Sequence, residues 1–128
     1  MTILAVDDDS EDLELFSDAI TIINPNFKCI KARDGFEALS ILENTRPDVL
    51  FLDVNMPKMN GKECLNEIRK VHSLREIPIV MYSTGINPNE LPFYTKQRAH
   101  VLQKASNFTD TIHSLKNVLN QNNLLFNE

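Results

Sequence analysis

Four places in the chain carry side chains suited to phosphoryl chemistry. Asp7-Asp8-Asp9 follows a short apolar stretch, Asp53 closes a second, Ser83-Thr84 a third and Lys104 a fourth. Carboxylates gathered without a counter-ion are costly: two of them about 4 Å apart repel by roughly 4 kcal/mol at an effective dielectric near 20. Such a cluster either raises its pKa values or holds a cation. Asp7, Asp8 and Asp53 offer hard oxygen donors without His or Cys, which suits Mg²⁺ rather than zinc or copper. Mg²⁺ keeps positions open for water and phosphate oxygens. Lys104 can then act as a point charge for a phosphoryl oxygen and Ser83 as a hydrogen-bond donor. One carboxylate of the cluster can serve as a phosphoryl-accepting nucleophile.

These groups act together only if the chain brings them to one edge. Residues 3–6, 27–31, 49–52, 77–82 and 101–103 are short, mostly apolar runs of strand length, as expected for a sheet buried on both faces. Between them, Leu13, Phe16, Ile20 and Ile23 recur at helical spacing, as do Phe108, Ile112, Leu115 and Leu119. Weaker helical patterns cover 36–43, 62–72 and 89–98. In the last, Pro88 suits a helix start, but Pro92 and few apolar positions predict a short, poorly anchored helix. Alternating strands and helices predict an α/β fold with a doubly wound, five-stranded parallel sheet, for which the order expected here is 2-1-3-4-5, flavodoxin-like (βα)5, one of the two common windings. Ligands in such sheets bind outside the carboxyl ends of the strands, where strand order reverses. Strands one and three flank that point, which brings Asp7, Asp8 and Asp53 together, with Ser83 and Lys104 alongside.

Composition bounds the rest. The 128 residues carry 18 Asp plus Glu against 13 Lys plus Arg, a net charge of −5, which argues against a direct nucleic-acid partner. Seven of the 18 acids lie in the first 18 residues, and no basic residue precedes Lys28. The length predicts a single domain over 1–128 with no effector domain. The start lacks a basic leader, and no apolar run approaches the ~18 residues of a membrane span, so no membrane insertion and a cytoplasmic location are expected. Cys29 and Cys64 lack metal or redox spacing and are expected to be buried structural thiols. Gly35, Gly61 and Gly85 form neither a P-loop nor a dinucleotide fingerprint.

Four segments in order then match a family. Val6-Asp7-Asp8-Asp9, Phe51-Leu52-Asp53-Val54-Asn55-Met56-Pro57-Lys58-Met59-Asn60-Gly61, Ile77-Pro78-Ile79-Val80-Met81-Tyr82-Ser83 and Val101-Leu102-Gln103-Lys104 together resemble the receiver domain of two-component response regulators. The resemblance implies a phosphoacceptor that switches protein–protein interactions and is not itself an enzyme. Asp53 would accept a phosphoryl group from a sensor histidine kinase or a histidine phosphotransfer protein. Asp8, Asp53 and the Asn55 backbone carbonyl would ligate Mg²⁺, with Asp7 acting mainly through water. Ser83 and Lys104 would contact the phosphoryl group and report its arrival to a downstream protein. The fourth helix, fifth strand and fifth helix, including Tyr94, Lys96 and His100, would form the partner face. Three positions depart from the family pattern. Ala105 replaces the usual proline after the lysine, where a cis bond costs about 3 kcal/mol more. Val101 replaces an inward-swinging aromatic, and Thr84 replaces alanine.

Two other functions compete. Asp7-x-Asp9 resembles the nucleophile and acid pair of haloacid-dehalogenase-like phosphatases, but Glu11 does not fit that pattern and Asp53 is left unexplained. A receiver-shaped interaction module that is never phosphorylated would not need the full set of acids, hydroxyl and lysine. Plainer roles suffice elsewhere. Asp9 or Ser10 suits the N-cap of the first helix and Asn107 with Asp110 suits that of the last; Glu11, Asp12 and Asp18 suit a solvated helix face. Pro57 and Gly61 suit loop geometry. His72, His100 and His113 lack partners at ligand spacing.

Overall fold

Apolar runs at residues 3–6, 49–52 and 79–82 leave no face for water and form the buried central strands of a sandwich of helices, while the runs that carry Lys28, Lys31, His100 and Gln103 form its partly exposed edges. The computed structural model describes residues 1–121. Its elements are β1 (Thr2–Val6), α1 (Ser10–Ile23), β2 (Lys28–Ala32), α2 (Gly35–Leu42), β3 (Val49–Leu52), α3 (Gly61–Lys70), β4 (Ile79–Ser83), α4 (Leu91–Lys96), β5 (Ala99–Gln103) and α5 (Phe108–Gln121), with 3₁₀ turns at His72–Leu74 and Pro88–Glu90. The sheet is parallel, as the alternation predicts, and its order β2-β1-β3-β4-β5 is the expected one of the two common windings. Of Asn120-Gln121-Asn122-Asn123, which read in the sequence as a fraying helix end, the first two residues close α5, and the segment 122–128 lies outside the described residues.

Each face of the sheet carries its own core. On one side, Leu4, Val6, Leu50, Leu52 and Met81 pack with Ala38 and Leu42 of α2, Leu65 and Ile68 of α3 and Tyr94 of α4. On the other, Ile3, Phe51 and Tyr82 pack with Leu13, Phe16 and Ile20 of α1 and Leu115 and Leu119 of α5. Phe16, Phe51 and Tyr82 form a three-ring cluster with centroids 4.9, 5.8 and 5.9 Å apart, a geometry that adds to burial.

Element ends differ modestly from the periodicity. β5 begins at Ala99, two residues early, because residue pairing with β4 starts at Ile79–Ala99. α3 stops at Lys70, where Val71 turns extended. α4 is only six residues long, shorter than the expected 89–98. Its inward anchor is Tyr94, which is 1% exposed. That corrects the expectation that Tyr94 belongs to an exposed partner face: on so short a helix one large side chain closes the core between α3 and the β4–β5 edge, with Val101 packed against the same cluster. Lys96 and His100 are exposed.

The opposite end of the sheet is bound by Arg69. Its guanidinium donates to the carbonyls of Ile77 (2.8 Å), Gln97 (2.9 Å), Leu74 and Arg75 (both 3.1 Å) and Arg98 (3.2 Å), joining α3 to the starts of β4 and β5.

Candidate functional site

Strand register builds the site. Val6 lies opposite Leu52, so the residues that follow each, Asp7 and Asp53, leave the sheet side by side. The Asp53 N–H donates to the Val6 carbonyl at 3.0 Å, and the Lys104 N–H to the Ser83 carbonyl at 2.8 Å, so the backbone ladder continues into the site. Behind it, α3 is pressed against the loop after β3: the Gly61 N–H donates to the Val54 carbonyl at 2.8 Å. A Cβ on Gly61 would lie 2.2 Å from the Asp53 carbonyl oxygen and 2.7 Å from the Val54 Cα, so only glycine permits this approach. The Asn60 and Glu63 capping box then starts α3.

Asp7, Asp8 and Asp53 can each place a carboxylate oxygen so that all three lie within 4.8 Å of one another. Asp7 and Asp53 are buried and Asp8 is exposed. Burial, then the Asp7 charge, pushes the Asp53 carboxyl from 3.8 up to about 6, against the pull of Lys104 and a backbone hydrogen bond from Asn55. A carboxylate held in that state is suited to a cation, which removes both penalties together. The Ser83 hydroxyl points the same way. Its Oγ is fully buried at the carboxyl end of β4 and has no hydrogen-bond partner among the described residues, a cost of about 1–3 kcal/mol that an incoming acceptor oxygen relieves. The all-oxygen donor set and the orphaned hydroxyl fit a divalent cation and a phosphoryl group.

Lys104 Nζ is 2.5 Å from Asp7 Oδ2 and 3.0 Å from Asp12 Oδ2, beside the Tyr82 ring. Burial alone would lower the ammonium pKa. The hydrogen bonds that the ammonium donates to Asp7 and Asp12, with the charges of Asp7 and Asp53, overcome that and raise it. Asp12 is the residue the sequence reading missed. Its signal was position: it lies in the first turn of the helix that begins directly after the acidic pair. Asp9 caps α1 by accepting from the Glu11 and Asp12 N–H groups, which leaves it outside the carboxylate cluster and removes the phosphatase pairing of Asp7 with Asp9. Every described peptide bond is trans, that between Lys104 and Ala105 included. Thr84 and Asn55 are exposed at the rim. Cys64 is buried, which pushes its thiol up to about 12; Cys29 is half-buried and also raised, mainly by burial. All three histidines are exposed.

A buried acceptor-like carboxylate at the switch point of a 2-1-3-4-5 sheet, with two acids, a hydroxyl and a lysine around it, defines a phosphoacceptor of two-component signalling. The response regulator receiver domain matches residues 3–116, and the chain belongs to that family. It is 29% identical over 126 residues to response regulator Rcp1 of Synechocystis sp., covering 91% of this chain and 84% of that protein. It is 42% identical over 84 residues to protein-glutamate methylesterase/protein-glutamine glutaminase 3 of Vibrio cholerae, covering 66% of this chain but 22% of that enzyme. Among solved structures, the phosphorylated cyanobacterial phytochrome response regulator RcpA superimposes with a TM-score of 0.84 at 28% identity, covering 92% of this chain and 90% of that one. The Mn²⁺-bound form of Rcp1 gives 0.82 at 27% identity, covering 92% and 91%. No helix among the described residues is long and apolar enough to cross a membrane.

Proposed function

We propose that Asp53 is the phosphoacceptor of this receiver and that Asp7, Asp8, Asp53 and the Asn55 carbonyl hold Mg²⁺ during the transfer. The observation that carries this is the pairing of a buried, charge-strained Asp53 with the orphaned Ser83 hydroxyl at one sheet edge. Bound Mg²⁺ supplies neutralisation of charge on the phosphoryl oxygens. An Asp53 carboxylate oxygen attacks phosphorus, the N–P bond of a phosphohistidine breaks, and the departing imidazole nitrogen retains the electron pair and then takes a proton. Ser83 donates to one phosphoryl oxygen and Lys104 offers charge to another, so the chain's part is chiefly positioning and electrostatics.

The donor is a sensor histidine kinase or histidine phosphotransfer protein, and the output is binding of a further protein through the exposed face that includes Lys96 and His100. Phosphorylation biases populations of the receiver rather than driving a reaction of its own. Incubation with Mg²⁺ and acetyl phosphate or phosphoramidate, followed by peptide mapping, is expected to place the label on Asp53, and Asp53→Asn to abolish it while the fold is kept. Label on Asp9, or acyl phosphate retained in Asp53→Asn, overturns the assignment.

A further inference from the structure

The position of Lys104 is unexpected for a residue whose proposed task lies at Asp53. Among the described residues its ion pairs run to Asp7 and Asp12, on the α1 side of the site. Its side chain is only 10% exposed, as is that of Asp7, so the ammonium is held between two carboxylates under the Tyr82 ring. Asp12 is fixed from behind: its own N–H donates to the Asp9 cap at 3.3 Å, and it belongs to the first turn of α1, where the helix dipole favours a carboxylate.

We infer that Asp12 is a positioning residue that holds Lys104 back from the acceptor, so that phosphorylation has to draw the ammonium out of a two-carboxylate clamp. This inference rests on the assignment of Asp53 above. Asp7 stands beside Asp53, at the end of the neighbouring strand, and Lys104 can turn toward a phosphoryl group while staying near it. Asp12 stands on the helix and cannot follow. The bond from Lys104 to Asp12 exists before transfer and is lost during it, and an interaction stronger in the ground state than in the transition state slows the step. Asp12 therefore sets the resting threshold of the switch. Because charge-assisted hydrogen bonds are the stronger kind while a partly exposed pair is worth little more than a surface one, removing the Asp12 charge is expected to speed phosphorylation by about threefold.

The test compares the wild type with Asp12→Asn, which keeps shape and removes charge, and with Asp12→Glu, which keeps charge. Phosphorylation of Asp53 by acetyl phosphate is followed at saturating Mg²⁺, and the Lys104 ammonium resonance is observed in a ¹⁵N correlation spectrum without Mg²⁺. The expected result is a faster rate and a displaced or broadened Lys104 resonance in Asp12→Asn, with backbone amide shifts confined to the site, and recovery of the slower rate in Asp12→Glu. Equal rates and an unmoved Lys104 resonance, with label on Asp53 in every form, overturn this inference and leave the acceptor assignment standing. Absence of label from Asp53 in the wild type overturns both.

Discussion

Replacing Asp53 by asparagine is expected to make the metal-free protein more stable, by an amount that depends on pH. The Asp53 carboxyl is pushed from 3.8 to about 6 in the folded protein, mainly by burial and by Asp7. The folded state therefore holds a proton that the unfolded chain has already released between these values. Stability from this group is complete below about 4 and is lost as pH rises through about 6. At pH 8 the loss amounts to about 3 kcal/mol. Asparagine does not ionise and escapes it. In EDTA, Asp53→Asn should thus gain about 3 kcal/mol over the wild type at pH 8, roughly 10 °C in Tm for a domain of this size, but only about 1 kcal/mol at pH 4.5. Urea denaturation of both proteins from pH 4.5 to 8 reads the difference directly, because every other carboxylate titrates in both. With Mg²⁺ at 100 times its Kd the gap at pH 8 should close, since the wild type then gains about 2.7 kcal/mol that the variant lacks. A gain that is the same at pH 4.5 and pH 8, or a variant less stable than the wild type at pH 8 in EDTA, refutes the account of a strained acidic cluster.

Other outcomes follow from local contacts. Gly61→Ala should cost about 3 kcal/mol in urea unfolding, because the new Cβ meets backbone atoms of Asp53 and Val54 that have no room to retreat. Arg69→Met should cost about 3 kcal/mol by the same assay, since it strips a shared donor from five carbonyls. Cys64, held at about 12, should resist iodoacetamide at pH 8 in the native protein and react once urea unfolds it.

The parallel, doubly wound sheet follows from alternation, because strands joined by right-handed helical crossovers leave few ways to wind; its order, one of two common windings, is settled by strand pairing. The site residues at the strand ends were readable for the same reason: Asp7, Asp53 and Ser83 stand directly after or at the end of apolar runs, so naming the strands names the edge. What escaped was tertiary. Nothing near Asp12 marks it for a lysine 92 residues away, and in local terms it is an ordinary first-turn acid. Tyr94 was misplaced because a helix of six residues, with a proline in its first turn, carries too little periodicity to reveal its inward side. Nothing in the helical pattern of residues 62–72 marks Arg69, since its partners lie as far as 28 and 29 residues along the chain.

The carbonyl clasp of Arg69 also decides how α4 is mounted. Two of the five oxygens it holds, those of Gln97 and Arg98, belong to the segment immediately after α4, and the Gln97 side chain is tied in addition to Asn66 of α3. At its other end α4 meets an exposed connection at residues 84–89 and one ion pair, Lys62 with Glu90 at 2.8 Å. The helix is held more heavily at its carboxyl end than at its amino end, where Lys62 of α3, paired with Glu90 and stacked on Phe93, is the polar tie. Any displacement of α4 is therefore expected to be larger at its amino end than at its carboxyl end, which Arg69 and Asn66 hold to α3.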